Sequence, residues 1–207
     1  MVESGISKEF LIFFLSHCVI SVLLVRSKDL GKTMNIFALD QDPKLAAQMH
    51  CDRHVPKMCV EATQMLVSAA RRHGAGDSQV PLTKSGTPHK GGYHNHPCTQ
   101  WAGDSSDNFM WLFWHGRGLT LEFEHRFGKT HACEEQIVVC GTLLPLIPEG
   151  ELTPFAQAMP DEYRNDDPVV AYRDYYFYDK RENIQCEWNK GRQAPDWWIT
   201  VWQSISL

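Results

Sequence analysis

His50 and His54 stand four residues apart, and on one continuous helix they would share a face. An H-x-x-x-H pair of this kind can chelate zinc, and a second cluster, His94, His96 and Cys98, offers a third ligand. The glutamate of an H-E-x-x-H motif is missing, and Pro56 marks a helix break close to His54. Structural histidines therefore compete with metal ligands at both places. Cys98 follows Pro97 at the expected amino end of a helix, where a thiol pKa can fall, so it is a candidate nucleophile. No G-x-S-x-G motif accompanies it. The third constellation lies near the carboxyl end, in YRDYYFYDKR (172–181) and WNKGRQAPDWW (188–198). There Arg173, Lys180, Arg181, Lys190 and Arg192 alternate with rings that either stack on bases beside phosphates or simply fill a core.

The elements that must position these groups read as helices. Asp42 and Pro43 are an N-cap and first-turn proline, predicting a helix from there to about Arg53. Val55, Met58, Cys59, Ala62, Leu66 and Ala69 repeat at three and four residues, with Lys57, Glu61, Gln64 and Ser68 on the opposite stripe. That second helix should stop at Gly74. Residues 74–96 are rich in Gly, Ser, Thr and Pro and form a long surface loop. Pro97 restarts a helix, which Asn95 or His96 would cap, and helical spacing continues to Gly128 with Gly116 and Gly118 marking a kink or close helix contact. HACEEQIVVCGTLL (131–144) and a segment begun by Asp167 and Pro168 complete the series. With no alternating strand pattern, repeat, P-loop or dinucleotide-binding glycine motif, the fold class is all-α: a compact helical bundle with a long loop before the central helix.

The chain has 207 residues and a formal net charge of −5, so it is no polyanion binder by overall composition. Between His50 and Gln100, however, six Lys or Arg face three acids, and six of the ten histidines fall there. That local excess suits either a phosphate-facing surface or an ordinary solvated one. Seven cysteines without a C-x-x-C read as reduced thiols of a cytoplasmic protein. Residues 1–33 differ from the rest. FLIFFLSHCVISVLLV (10–25) is almost wholly apolar, short for a membrane span and without an A-x-A cleavage site. An anchor, a degenerate signal and an extension upstream of a start at Met34 are the readings, the last being preferred. A single helical domain is expected over 34–207.

Taken in order, these motifs resemble the phage and bacterial pyrimidine-dimer DNA glycosylases with AP-lyase activity. LAAQMH (45–50) is similar to that family's Leu-Ala-x-Gln-His, and RHVPK (53–57) to its Arg-Glu-x-Pro-Arg. GYHNHP (92–97) resembles Gly-Tyr-Arg-Asn-His-Pro, followed by a helix ending Glu-x-x-x-Arg-Phe-Gly, here Glu122 or Glu124 with Arg126 to Gly128. YRDYY (172–176) is similar to Trp-Tyr-Lys-Tyr-Tyr. The likeness is patchy over residues 34–180.

The resemblance implies DNA repair chemistry. In that family an α-amine at the processed chain start attacks C1′ of the damaged nucleotide, an imine forms, the base leaves and β-elimination cuts the strand. A buried carboxylate assists, and no cofactor is needed. The catalytic Glu of the family falls on His54 in the direct match, with Glu61, one turn beyond Lys57, as a substitute. The family nucleophile also differs, because Met34 is followed by Asn35, which usually leaves methionine in place. Expected catalytic residues are His54, Glu61 and His50; expected contacts to double-stranded, damaged DNA are Arg53, Lys57, Asn95, His96, Arg126 and Tyr175. The rival readings are a non-catalytic nucleic-acid-binding module, a metal-dependent hydrolase using His50, His54 and His94, and a plain interaction protein.

Overall fold

The computed structural model describes residues 34–205; the expectations made for residues 1–33 lie outside them. The described residues form an all-α fold built from helices, one π-helical turn and short 3-10 turns. No strand occurs among them, only an isolated bridge between Leu82 and Pro88 in the long loop. Among the described residues, no helix is long and apolar enough to cross a membrane.

Asp42 caps α1 (Pro43–Met49) by accepting hydrogen bonds from the main-chain nitrogens of Lys44 and Leu45 at 2.7 and 3.0 Å. The helix stops at Met49, short of the predicted Arg53, and His50 is extended with φ −64° and ψ 142°. The reason is tertiary. The Arg126 guanidinium takes the carbonyls of Gln48 and His50 at 2.9 and 2.7 Å, and the Tyr176 hydroxyl accepts the Cys51 N–H at 3.0 Å. Those bonds replace the ones a continuing helix would make.

The next helix, α2 (His54–Arg72), begins after this turn and buries the apolar stripe read from its spacing. Gly74, with φ +92°, follows its end. The long loop returns along the polar stripe of α2. Ser68 Oγ accepts from the Gly92 nitrogen at 2.8 Å and donates to the Gly92 carbonyl at 2.9 Å. Gly91 sits so close that an added Cβ would collide with Ser68. This backbone approach places the GYHNHP segment against α2. His96 then caps α3 (Pro97–Ala102).

The longest helix, α4 (Ser106–Phe127), is capped by the Ser105 hydroxyl and ended by Gly128 at φ +65°. It packs on α1 and α2, and α5 (Glu134–Gly141) packs on α2 and α4. Gly116 and Gly118 are points of close helix contact: a Cβ on Gly118 would lie 2.9 Å from that of Ala47. Pro145 sits inside a 3-10 turn, Leu144–Leu146, that follows α5. Next comes α6 (Pro168–Tyr175), capped by Asp167 as its sequence predicts, and it runs into a π-helical turn, Tyr176–Lys180. A short α7 (Arg181–Asn183) and α8 (Asp196–Ile205) follow; α8 was not anticipated. Its Trp198 packs on Phe177 with ring centroids 4.8 Å apart.

Candidate functional site

The segment Met34–Leu39 lies outside any helix and is wholly buried. Asn35 organises it. Its side-chain oxygen accepts from the Ile36 nitrogen at 2.8 Å, and its amide nitrogen donates to the Ala158 carbonyl at 2.7 Å. Phe37 has φ +40°, a conformation bulky residues rarely adopt. Packing holds it there: its ring stacks on Tyr175 at 5.9 Å and meets His54 at 5.1 Å and Tyr176 at 5.4 Å.

The main-chain nitrogen of Asn35 donates to Glu61 Oε2 at 2.9 Å, and Lys57 Nζ lies 3.2 Å from Glu61 Oε1. Glu61 is buried, and burial pushes its carboxyl above the usual range, against the opposing pull of Lys57, the Asn35 N–H and Lys180. Lys57 keeps about half its side chain (51%) in solvent. Lys180 is buried, with its ammonium 4.4 Å from the Tyr175 ring centroid and 3.2 Å from Asp179. Glu61 is thus a buried acid that meets the Asn35 nitrogen and the Lys57 ammonium directly.

His54 adjoins that set in a different role from the one expected. It is buried, its Nδ1 has no hydrogen-bond partner, and burial with Lys57 and Lys180 nearby drives its pKa down to about 3. His54 is therefore a neutral ring at physiological pH and offers no charge in place of the family's carboxylate. His50 is also buried, both ring nitrogens are unpartnered, and its pKa is held well below the usual range by burial and by His115, His54 and Arg126. His115, buried and bonded through Nδ1 to the Pro43 carbonyl at 3.0 Å, is pushed down to about 4 by burial. The rings of His50 and His54 lie 6.0 Å apart, centroid to centroid, and those of His50 and His115 5.4 Å. His50 and His54 lie on opposite sides of the α1–α2 break, and His94 is exposed on the loop. Among the described residues, no group of three or more His, Cys, Asp or Glu is arranged to hold a metal ion.

Cys98 does sit in the first turn of α3, but burial outweighs the helix end and raises its thiol to about 12. Its sulfur faces the Tyr172 hydroxyl at 3.7 Å and the Asn35 side-chain oxygen at 4.0 Å. It is a core thiol, not a nucleophile.

The expected DNA contacts divide in two. Arg53 and Asn95 are exposed, and Arg53 Nη2 donates to Gln185 at 3.1 Å. His96 is half-buried, and its Nδ1 accepts the Cys98 N–H at 3.2 Å, so it is the cap and Asn95 is the neighbour facing solvent. Arg126 is different: its side chain is fully enclosed, with Nε on Glu122 at 2.7 Å and Nη1 on Asp52 at 3.0 Å besides the two carbonyls of the α1 turn. It pins the fold and has no reach to a phosphate. Tyr175 is buried under Lys180, stacked on Phe37, and belongs to the wall of the site.

Part of the carboxyl aromatic-basic region is turned inward, while Tyr178 and Lys190 are exposed. Tyr172, Tyr175, Tyr176 and Phe177 are core, Arg173 donates to the Leu39 carbonyl at 2.8 Å, and Arg192 donates to Glu122 at 2.7 Å. Asn35 and Phe37 carried no sequence signal beyond following a methionine, and Lys180 was hidden among residues read as phosphate-seeking. No protein-family model, curated protein or solved structure matches the chain.

Proposed function

We propose that residues 34–205 process DNA by the glycosylase and AP-lyase route, acting on damaged or modified bases, with Glu61 as the assisting carboxylate. One observation carries this reading: Glu61 is buried, yet touches the Asn35 nitrogen at 2.9 Å and the Lys57 ammonium at 3.2 Å. Imine chemistry at a sugar needs an amine beside an acid that can both give and take a proton. A carboxyl with a raised pKa suits both steps. It protonates a departing base or oxygen and, once ionised, accepts the C2′ proton during β-elimination. In this reading Glu61, not His54, holds the catalytic position, while Arg53, Lys57 and Asn95 form the rim that receives the phosphates. His50 and His54 shape the neutral wall behind the acid, and no cofactor takes part.

The test uses the full chain and duplex oligonucleotides carrying either an aldehydic abasic site or a cyclobutane pyrimidine dimer. Strand cleavage and covalent capture by borohydride are expected, and Glu61→Gln should slow cleavage by about 10²–10⁴-fold, the usual worth of a general acid–base group. Binding without capture or cleavage would replace this reading with a non-catalytic nucleic-acid-binding one. Absence of binding as well would leave only an interaction protein.

A further inference from the structure

We propose that Cys51 and Cys186 are a redox-active thiol pair, which a small disulfide entering the groove beside Cys186 oxidises to a reversible bridge. The inference is independent of the glycosylase reading. Both cysteines are free, Cys51 buried and Cys186 partly exposed. They are far apart in sequence, yet the fold brings their stretches of chain together. The Asp52 N–H donates to the Glu187 carbonyl at 2.8 Å, so the residues following the two cysteines are bonded to each other. On either side, the Arg53 guanidinium donates to Gln185 at 3.1 Å and the Trp188 indole nitrogen to the Met49 carbonyl at 3.2 Å. Within this bracket the Cys186 thiol donates a hydrogen bond to the Cys51 sulfur.

The two sulfurs are placed for different roles. Cys51 Sγ is surrounded by donors: the Cys186 thiol, the Tyr176 hydroxyl at 3.4 Å, and main-chain N–H groups of His54 and Arg53 at the start of α2. These donors, Cys186 foremost, hold the Cys51 thiol down to about 6 against the opposing effect of burial, while Cys186, the donor, is raised. Cys186 is the sulfur within reach of a reagent. With Arg181, Trp198 and Trp202 it lines an open groove of about 670 Å³. A buried thiolate touching a reachable thiol is the arrangement by which a mixed disulfide is resolved. Cys59, Cys98, Cys133 and Cys140 are buried as well, but burial pushes their thiols up and leaves them unreactive.

The small disulfide is the only oxidant the exchange requires. The Cys51 thiolate takes the S–H proton of Cys186, and the Cys186 thiolate attacks one sulfur of the small disulfide. That S–S bond breaks, and the first small thiol leaves with its electron pair and the proton held at Cys51. The Cys51 thiolate then attacks the Cys186 sulfur, and the second small thiol leaves as a thiolate. Two electrons pass from the protein to the small disulfide. The bridge staples the carboxyl segment that carries α8 to the turn from which α2 starts, and a reducing thiol reverses it.

The experiment equilibrates the full chain with mixtures of oxidised and reduced glutathione, blocks the remaining thiols with iodoacetamide and maps the products by mass spectrometry. A linked pair of peptides containing Cys51 and Cys186 is expected, with the loss of two hydrogens from the chain and full reversal by dithiothreitol. Cys51→Ser should stop at a stable glutathione adduct on Cys186, and Cys186→Ser should lose both the adduct and the bridge. A bridge through any other cysteine, a lasting glutathione adduct on Cys186 of the unaltered protein, or a Cys186 that stays reduced throughout would each overturn the pairing. Mapping the unaltered protein decides the matter even where a variant folds poorly.

Discussion

Arg126 and Arg53 were both expected to bind phosphate, and the structure separates them sharply enough for one experiment to judge the separation. Arg126 is fully enclosed and makes four bonds, to Glu122, Asp52 and the carbonyls of Gln48 and His50. In Arg126→Met the side-chain volume is roughly kept, but two carbonyls lose their donor and Glu122 keeps only Arg192. Breaking a buried charge network from one side costs about 3–5 kcal/mol. For a unit of this size, that lowers the melting temperature by roughly 6–20 °C. Arg53, exposed and bonded only to Gln185, should cost within about 0.5 kcal/mol when replaced by Met. DNA affinity measured against salt gives the opposite ranking. Arg53→Met should reduce the slope of log K on log salt by about 0.9, one phosphate contact, and Arg126→Met, assayed below its melting point, should leave it unchanged. A small melting shift for Arg126→Met together with a reduced salt slope would refute the assignment of Arg126 to the fold.

Further outcomes follow from the same geometry. His50, His54 and His115 have folded pKa values below the free histidine value of about 6.5, so the unfolded chain binds more protons below that pH. Their contribution is complete above about pH 6.5 and falls as the pH drops toward about 4 for His115 and 3 for His54, each costing up to about 1.4 kcal/mol per pH unit. Melting curves should therefore fall steeply between about pH 6 and 5, and His115→Phe should flatten the decline; a level melting temperature across that range would contradict the neutral cluster. Gly118→Ala gains about 1 kcal/mol of helix propensity but presses a Cβ to within 2.9 Å of Ala47. Overpacking of about 1–3 kcal/mol should win, so urea unfolding should show no stabilisation. Cys98, with its thiol raised to about 12, should resist iodoacetamide at pH 8 in the folded protein and react on unfolding. Rapid native labelling of Cys98 would place it in contact with solvent.

Local chemistry made much of the fold legible in the sequence. Asp42 and Asp167 cap their helices, Gly128 ends the longest, and the stripe from Val55 to Ala69 faces the core, because caps and periodicity act over one or two turns. The contact of the GYHNHP loop with α2 through Gly91, Gly92 and Ser68, residues some two dozen positions apart, was not legible in this way. What remained illegible depends on partners far along the chain. The helix through His50 fails because Arg126, 76 residues away, claims its carbonyls. His54 and Cys98 take their chemistry from burial, and burial depends on which elements pack over them. The sequence alone therefore determined several helix starts and stops and the stretch of chain that holds Glu61. Only tertiary packing decided that this carboxylate is buried and sits beside the Asn35 nitrogen, because electrostatic environment is set by neighbours in space and not in sequence.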